Sequence, residues 1–307
     1  MLKEDRIQKF LHRVEFDDLS VDYLRRLITM AREEDLQGAG LTQSLAEPID
    51  VTSKIINPSG LGSASITARE QLTVCGLPLI PHILTIYDPD LTFDPVAKDG
   101  DSLSPGSKLG TLTGPSSHML MAERVLLNFL QFLSGVTSET AAYVGALGDS
   151  PTRILDTRKT TPGYRMLQKY AVACGGGWNH RLGLFDRVML KDNHLAADKA
   201  QHGAALTAIV QKARRLNPSL LIEVEVDELD QIPEALSAEP DKIMLDNFSV
   251  GSLKTAVELI GDSACTESTG GINLKTLPTL GKLGLDFIST GALVHQAVWK
   301  DIGLDWD

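Results

Sequence analysis

The pattern of apolar and polar positions changes about a third of the way along the chain. Up to residue 115 helical and alternating segments are mixed. Val21–Arg32 has an apolar side at helical spacing, and Ser63–Arg69 alternates as a half-buried strand does. Leu91–Val96 predicts another strand, and Thr111–Pro115 ends the region. These segments predict a small α+β domain.

A helix is predicted from about Ser117 to Leu133, because leucines recur there at helical spacing. Ser116 or Ser117 is expected to cap its first turn, and Gly135 to end it. The most apolar long stretch of the chain, Met119–Val136, is interrupted by Glu123, Arg124 and Asn128. It is therefore predicted to be a core helix and not a membrane span.

From residue 153 onward, a short apolar run followed by a helical stretch recurs. The runs are Arg153–Asp156, Arg187–Lys191, Leu220–Glu225, Lys242–Asp246, Ala264–Ser268 and Asp286–Ser289. Strands that alternate with helices predict a parallel sheet. The runs are fewer than the roughly eight strands of a complete barrel, so an incomplete, open α/β barrel is predicted.

Charged, hydroxyl and glycine residues follow these runs. Because active sites of parallel α/β folds lie at the carboxyl ends of the strands, we expect them to form one polar cavity. Such a cavity is costly to desolvate unless a ligand occupies it, and a structural ion network is the alternative. Its members are Asp156–Thr161, Gly175–Arg181, Lys191–His194, Glu223, Glu225, Asp246–Asn247, Thr269–Gly271 and Ser289–Gly291.

The basic members of this set predict an anionic ligand. They are Arg158, Lys159, His180, Arg181 and Lys191. Arginine presents a planar fork to carboxylate or phosphate, and lysine a movable point charge. The net charge of −11 argues against nucleic acid as the ligand. His180 alone would more often be a structural histidine, but its neighbours favour a binding role.

The acidic members, Glu225 and Asp246, predict a cation in the same cavity. Strand alternation puts Glu223 on the same face as Glu225, and one of the two could make a structural salt bridge instead. The cation could be Mg²⁺ carried by a pyrophosphate or a sugar that becomes positive in the transition state. The glycine-containing ends Thr269–Gly271 and Ser289–Gly291 predict phosphate binding through backbone N–H groups.

The cysteines and the start of the chain predict a reducing compartment. Cys75, Cys174 and Cys265 are scattered and form no CxxC pair, which argues against a zinc site or a disulfide framework and leaves a lone reactive thiol open. The first eighteen residues are charged throughout and lack the apolar core of a signal peptide. A cytoplasmic protein is expected.

At this point the chain resembles the quinolinate phosphoribosyltransferase family (nicotinate-nucleotide pyrophosphorylase, carboxylating). Two departures stand out: Thr269 replaces the family's usual serine, and Leu36–Ile49 looks like an insertion, so Asp50 is assigned no role. The segments that carry the resemblance are Glu123–Asn128, Asp156–Gly163, Asn179–Arg181, Lys191–His194, Glu223–Glu225, Leu245–Phe248, Gly270–Ile272 and Ile288–Gly291.

The resemblance implies a type II phosphoribosyltransferase-like fold and a reaction. An N-terminal α/β sandwich is expected over residues 1–133, joined by the C-terminal segment 293–307, with an open α/β barrel over residues 134–292. The implied enzyme transfers phosphoribosyl from 5-phosphoribosyl-1-pyrophosphate to quinolinate with decarboxylation, in NAD biosynthesis. A homodimer and Mg²⁺ are also implied, with no nucleic-acid or membrane partner.

Roles in binding the base come from the same resemblance. Arg124 is implied to reach into the partner subunit's site. Arg158, His180 and Arg181 match residues that hold the two carboxylates of quinolinate, and Thr157 is an expected substrate-binding neighbour.

The implied catalytic residues are Lys159, Lys191, Glu225 and Asp246. The lysines match residues that contact the phosphoribosyl donor or the substrate. The two acids match residues near the ribose and the Mg²⁺-pyrophosphate. The loops expected to hold the 5-phosphate contribute Thr269, Gly270, Gly271 and Gly291.

Three alternatives stay open. The nearest is a paralogue that acts on another base, such as nicotinate, although the basic groups available for two carboxylates favour a diacid. A second is a non-catalytic sensor of a phosphorylated metabolite. A third is an aldolase-like barrel in which Lys159 or Lys191 forms a Schiff base.

Overall fold

The computed structural model describes residues 2–56, 58–191 and 204–307, so the predicted Asp192–His194 lie outside the described residues. Contacts divide the chain into two compact units. The barrel unit comprises Met1–Arg13, Thr140–Thr160 and Gly177–Gln296. The N-terminal unit comprises Val14–Glu139, Thr161–Gly176 and Ala297–Asp307. The limits predicted from the sequence assign residues 1–13, 134–139, 161–176 and 293–296 differently.

The elements are numbered in chain order. The helices are α1 (Lys3–Phe10), α2 (Val21–Gln37), α3 (Val51–Ile56), α4 (Ile80–Tyr87), α5 (Ser116–Ala146), α6 (Arg165–Cys174), α7 (Ala204–Leu216), α8 (Gln231–Ser237), α9 (Val250–Ile260), α10 (Leu277–Leu280) and α11 (Ala292–His295). The strands are β1 (Leu61–Ala68), β2 (Leu72–Thr73), β3 (Thr92–Pro95), β4 (Ser102–Leu103), β5 (Lys108–Pro115), β6 (Arg153–Leu155), β7 (Val188–Leu190), β8 (Ile222–Val226), β9 (Lys242–Asp246), β10 (Cys265–Thr269), β11 (Phe287–Ser289) and β12 (Ile302–Trp306).

The barrel unit is built on a parallel sheet. Within the described residues its strand order is β6-β11-β10-β9-β8-β7, so β6 and β7 form the two edges. β9 and β10 pair in register from Lys242↔Cys265 to Asp246↔Thr269. Each predicted apolar run lies on one of these strands, because each strand is buried along most of its length. The predicted open α/β barrel is confirmed.

Helix α1 packs on the barrel core although it comes first in the chain. The rings of Phe10 and Phe287 meet edge to face with their centroids 5.8 Å apart. Ile7, Leu155 and Cys265 join them in one buried apolar cluster. This burial explains why the first residues belong to the barrel unit.

The N-terminal unit is built on an antiparallel sheet of order β12-β1-β5-β3. The last strand of the chain pairs with β1 from Ile302↔Ala68 to Trp306↔Ala64. The strands predicted around residues 63–69 and 91–96 are present as β1 and β3. α2 runs five residues beyond its predicted end at Arg32 and stops at Gly38, whose left-handed φ of 69° suits glycine.

Helix α5 is longer than predicted at both ends. It begins at Ser116, so neither Ser116 nor Ser117 is the capping residue, and it continues through Gly135 to Ala146. A Cβ at Gly135 would lie 2.5 Å from the carbonyl oxygen of Val298. The glycine therefore allows a close backbone approach and does not end the helix. α5 is long and apolar enough to cross a membrane by composition, but 61% of its most apolar window is buried within the fold.

Two glycines of α5 are expected to respond oppositely to the same substitution. Gly135→Ala should lower the free energy of unfolding by about 1–3 kcal/mol, because its new methyl group would overlap Val298. Gly145→Ala should raise it by up to about 1 kcal/mol, because nothing lies within 4 Å of its new Cβ. Urea unfolding followed by circular dichroism measures both. Equal effects would contradict the close approach.

Candidate active site

A cavity of about 730 Å³ opens at the carboxyl ends of the parallel strands of the barrel unit. Each strand contributes residues from its end or from the loop that follows, as parallel strands must. All but one of the residues that were given a role in binding or catalysis line it, namely Thr157, Arg158, Lys159, His180, Arg181, Lys191, Glu225, Asp246, Thr269, Gly270, Gly271 and Gly291. The exception is Arg124, which belongs to the N-terminal unit and lines a groove of about 460 Å³ there.

The cavity contains a concentration of positive charge. Arg181 is 6% exposed, and burial together with the charge of nearby Arg158 lowers the pKa of its guanidinium. The Nε of Arg158 is buried and has no hydrogen-bond partner among the described residues. Two crowded guanidinium groups, one with an unused buried donor, fit an anion with several acceptor oxygens.

His180 and Arg181 are held in place by a buried aspartate. Asp156, just after β6, accepts hydrogen bonds from the amide of Asn179 (2.9 Å) and the backbone N–H of His180 (2.7 Å). The backbone N–H of Arg181 donates to Nδ1 of His180 over 2.7 Å, and Nε2 of His180 lies 3.4 Å from Glu267. His180 thus borders the cavity while both of its ring nitrogens face protein groups.

The two glutamates of β8 lie at different depths. Glu225 lines the cavity and forms a 2.6 Å ion pair with Lys191. Glu223 is fully buried, does not line the cavity, and pairs with Lys242 at 2.9 Å. The possibility that one of them makes a structural salt bridge in the core is therefore realised in Glu223, and Glu225 is the one that lines the cavity.

A buried ion network lies in the core of the barrel unit. Lys242 is fully buried and pairs with both Glu223 and Glu267, and Arg187 pairs with Glu223 at 3.4 Å. Burial is the largest single influence and would by itself raise the pKa of both carboxyls, but the charges of Lys242 and His180 and the other groups around them together outweigh it and hold both pKa values below their usual range. The network fixes side chains directly beside His180.

Sequence reasoning missed Lys242, Arg187 and Glu267 as parts of the site's support. Alternation along a strand could have found two of them, since Lys242 shares a face with Asp246 and Glu267 shares one with Thr269. The same signal applies to the cavity-lining Met189 and Met244, while His295 and Gln296 follow the last glycine loop without a comparable signal.

The loop after β10 depends on two glycines. Gly270 and Gly271 have left-handed φ values of 84° and 64°. A Cβ at Gly270 would lie 2.1 Å from Oδ1 of Asn247, which itself has a positive φ and donates from its amide to Asp246 over 3.0 Å. The loop therefore brings backbone close to the acidic side of the cavity, as a phosphate-binding loop requires.

The acids of the cavity suit a cation that arrives with a ligand. Among the described residues, no three imidazole, thiol or carboxylate groups of this cavity lie close enough together to hold an ion by themselves. Mg²⁺ usually keeps several waters and binds through one or two carboxylates plus substrate phosphates. Glu225 and Asp246 fit that pattern.

Known proteins match the chain in both of its halves. Family models of quinolinate phosphoribosyl transferase match over residues 50–134 for the N-terminal domain and 136–305 for the C-terminal domain. A probable nicotinate-nucleotide pyrophosphorylase (carboxylating) of Synechocystis is 38% identical over 271 residues, which cover 86% of this chain and 90% of the relative. The structure of the nicotinate-nucleotide pyrophosphorylase from Francisella tularensis matches with a TM-score of 0.86 at 31% identity, covering 96% of this chain and 100% of that chain.

Proposed function

The chain belongs to the quinolinate phosphoribosyl transferase family, and we propose that it joins quinolinate to 5-phosphoribosyl-1-pyrophosphate in NAD biosynthesis. The products are nicotinate mononucleotide, pyrophosphate and carbon dioxide. One observation carries the proposal: a protein of net charge −11 concentrates Arg158, Lys159, Arg181 and Lys191 in one cavity together with two acids. That combination suits two anionic substrates and a cationic transition state.

The diacid is proposed to bind against the two arginines. Arg158 and Arg181 offer planar forks for its carboxylates, and the unused Nε of Arg158 supplies a donor that is already desolvated. Thr157 and His180 complete this wall of the cavity. Fixing both carboxylates aims the ring nitrogen at the donor sugar, so that much of the rate enhancement comes from positioning.

The phosphoribosyl donor is proposed to bind on the side of the cavity formed by the glycine-containing loops and the two acids. Thr269, Gly270, Gly271 and Gly291 receive the 5-phosphate. As the bond to pyrophosphate breaks, the ribose becomes positive, and the carboxylates of Glu225 and Asp246 stabilise it. Lys159 and Lys191 neutralise the departing pyrophosphate, and Mg²⁺, when bound near Glu225 and Asp246, would share that charge.

Decarboxylation follows from the chemistry of the ring. Once the ring nitrogen carries the ribose it is positively charged. The bond to the adjacent carboxylate then breaks and carbon dioxide leaves, the electron pair left on the ring carbon is stabilised by the neighbouring positive nitrogen, and that carbon takes up a proton from solvent to give the product. Arg158 and Arg181 hold the remaining carboxylate and keep the ring in place. The protein's contribution to this step is therefore orientation and charge.

A cytoplasmic homodimer is part of the proposal, with no nucleic-acid or membrane partner. In it Arg124 of one subunit serves the site of the other. Arg124→Ala and Lys159→Ala homodimers are each expected to be inactive. After subunit exchange, the mixed dimer should regain up to about half of the activity of a wild-type dimer, because one of its two sites keeps both residues. If the mixed dimer stays inactive although native mass spectrometry verifies that subunits have exchanged, the shared site is refuted.

Product analysis by mass spectrometry tests the function itself. The protein is incubated with the phosphoribosyl donor, Mg²⁺ and either quinolinate or nicotinate. We expect nicotinate mononucleotide from quinolinate, with carbon dioxide released. Product from nicotinate alone would favour the paralogue that acts on another base. Binding of the phosphoribosyl donor without any product would favour the non-catalytic sensor. Borohydride trapping of a carbonyl substrate on Lys159 or Lys191 would favour the aldolase-like alternative.

A further inference from the structure

Two of the cysteines meet in the N-terminal unit, although they are far apart in the sequence. Cys75 follows β2 and is fully buried, and Cys174 is the last residue of α6 and is half-buried. Their sulfurs and a carboxylate oxygen of Asp99 all lie within 4.8 Å of one another. None of these three residues lines the cavity of the barrel unit.

Asp99 is held by several hydrogen bonds. Its carboxylate accepts the backbone N–H groups of Gly76 (2.8 Å) and Leu77 (2.9 Å) and the hydroxyl of Tyr170 (2.6 Å). The thiol of Cys75 is also hydrogen-bonded to it. Because its oxygens are committed to these donors, Asp99 is a poor metal ligand here and a good acceptor for a thiol proton.

The two thiols are also hydrogen-bonded to each other. Burial raises the pKa of the Cys75 thiol, so this thiol stays protonated until a partner beside it becomes reactive. Cys174 is a partly exposed residue, whereas Cys75 is fully buried. Because of this difference in burial, a dissolved reagent would react first with the sulfur of Cys174, and the sulfur of Cys75 would react afterwards from inside the fold.

We propose that Cys75 and Cys174 are a redox modification site that a small disulfide such as oxidised glutathione converts into an intramolecular disulfide. The Cys174 thiolate attacks one sulfur of glutathione disulfide and displaces one glutathione thiolate. Cys75 passes its proton to Asp99 and attacks Cys174 Sγ in the mixed disulfide, which displaces the second glutathione. Two protein thiols are oxidised, and one glutathione disulfide is reduced to two glutathione molecules.

The bond would tie two distant parts of one unit together. It would link Cys75, two residues after β2, to the end of α6, directly before the Gly175–Gly177 run. Closing a long loop restricts the unfolded chain, so the oxidised protein should melt at a higher temperature than the reduced protein. Cys265 provides the internal comparison, because burial raises the pKa of its thiol to about 12 and it lies in the barrel unit.

Intact mass spectrometry and peptide mapping test this on the full chain. Reduced protein is incubated with oxidised glutathione, and remaining thiols are blocked with N-ethylmaleimide. Apart from any N-ethylmaleimide added to a free thiol, we expect the wild type and Cys265→Ser to lose the mass of two hydrogen atoms, to give a cross-linked Cys75–Cys174 peptide, and to regain that mass with dithiothreitol. Cys75→Ser should stop at one glutathione on Cys174, and Cys174→Ser should gain none.

Other outcomes would overturn the proposal. A wild type that keeps all three thiols, or that accumulates glutathione without a cross-linked peptide, has no such pair. Stoichiometric zinc in the purified wild type, absent from Cys174→Ser, would assign the cluster to a metal. The cross-linked peptide is sought in the wild type, so the result does not depend on how well the buried Cys75→Ser variant folds.

Discussion

Lys242→Met is expected to lower the free energy of unfolding by about 3–5 kcal/mol near neutral pH. The ammonium group is fully buried between Glu223 and Glu267, and it lies 4.5 Å from the ring centroid of Phe10. Methionine would fill most of the space but leave two buried carboxylates without their main counter-charge. Urea unfolding followed by fluorescence measures the loss.

Lys254→Met is the matched control, because Lys254 is exposed on α9 in the same unit. It should change the free energy of unfolding by no more than about 0.5 kcal/mol. Adding Glu267→Met to Lys242→Met should recover at least about 1 kcal/mol, because a buried charge is removed with its partner. A Lys242→Met protein as stable as its control would mean that the network contributes nothing.

The same variant should have a distinctive dependence on pH. In the wild type the network holds the pKa of Glu267 well below its usual range. Its contribution is therefore complete above the pKa of an unfolded glutamate, about 4.3, and is lost as pH falls through the lower folded-state value. Without Lys242, burial favours the protonated carboxyl. The difference between variant and wild type should shrink from about pH 7.5 to about pH 5.

Glu225→Gln is expected to lower kcat for phosphoribosyl transfer by about 10²–10³-fold. The amide keeps the shape of the side chain but removes the negative charge proposed to face the developing sugar cation. It also removes the 2.6 Å ion pair with Lys191. Because the expected loss arises in the transition state, the dissociation constant for quinolinate should change by less than about threefold.

Steady-state kinetics and calorimetry together decide this prediction. Glu258→Gln, at an exposed position of α9, removes the same charge elsewhere in the barrel unit and should leave kcat unchanged. An effect of Glu225→Gln on KM alone would assign the residue to ground-state binding. An unchanged kcat would remove it from the mechanism.

The sequence predicted the barrel and its cavity because both depend on short-range patterns. Apolar runs that alternate with helical stretches predicted each parallel strand found among the described residues, and the rule that active sites lie at strand ends predicted most of the side chains that meet there. Among the described residues that were given a role in binding or catalysis, only Arg124 lies outside the cavity, since it was assigned by resemblance to act across a subunit boundary. Other expected members of the cavity, Asp156 and Glu223 among them, do not line it.

The rest depended on contacts between distant segments. Gly135 reads as a helix end in isolation, and only the approach of Val298 explains a glycine in the middle of α5. Lys242 looks like the polar start of a strand until Glu223 and Glu267 are seen on its two neighbouring strands. Cys75 and Cys174 look unrelated until β2 and α6 fold together.

Each unit packs together segments that are far apart in the sequence, and this has a consequence for how the protein is made. The core of the barrel unit requires Phe10 from the start of the chain and Phe287 from near its end. The sheet of the N-terminal unit requires β12, the last strand. During translation the barrel unit cannot complete its core before the ribosome has added Phe287, and the N-terminal unit cannot complete its sheet before β12 has been added. The nascent chain must therefore carry partly exposed apolar surface for most of its synthesis, which makes cotranslational protection by chaperones valuable.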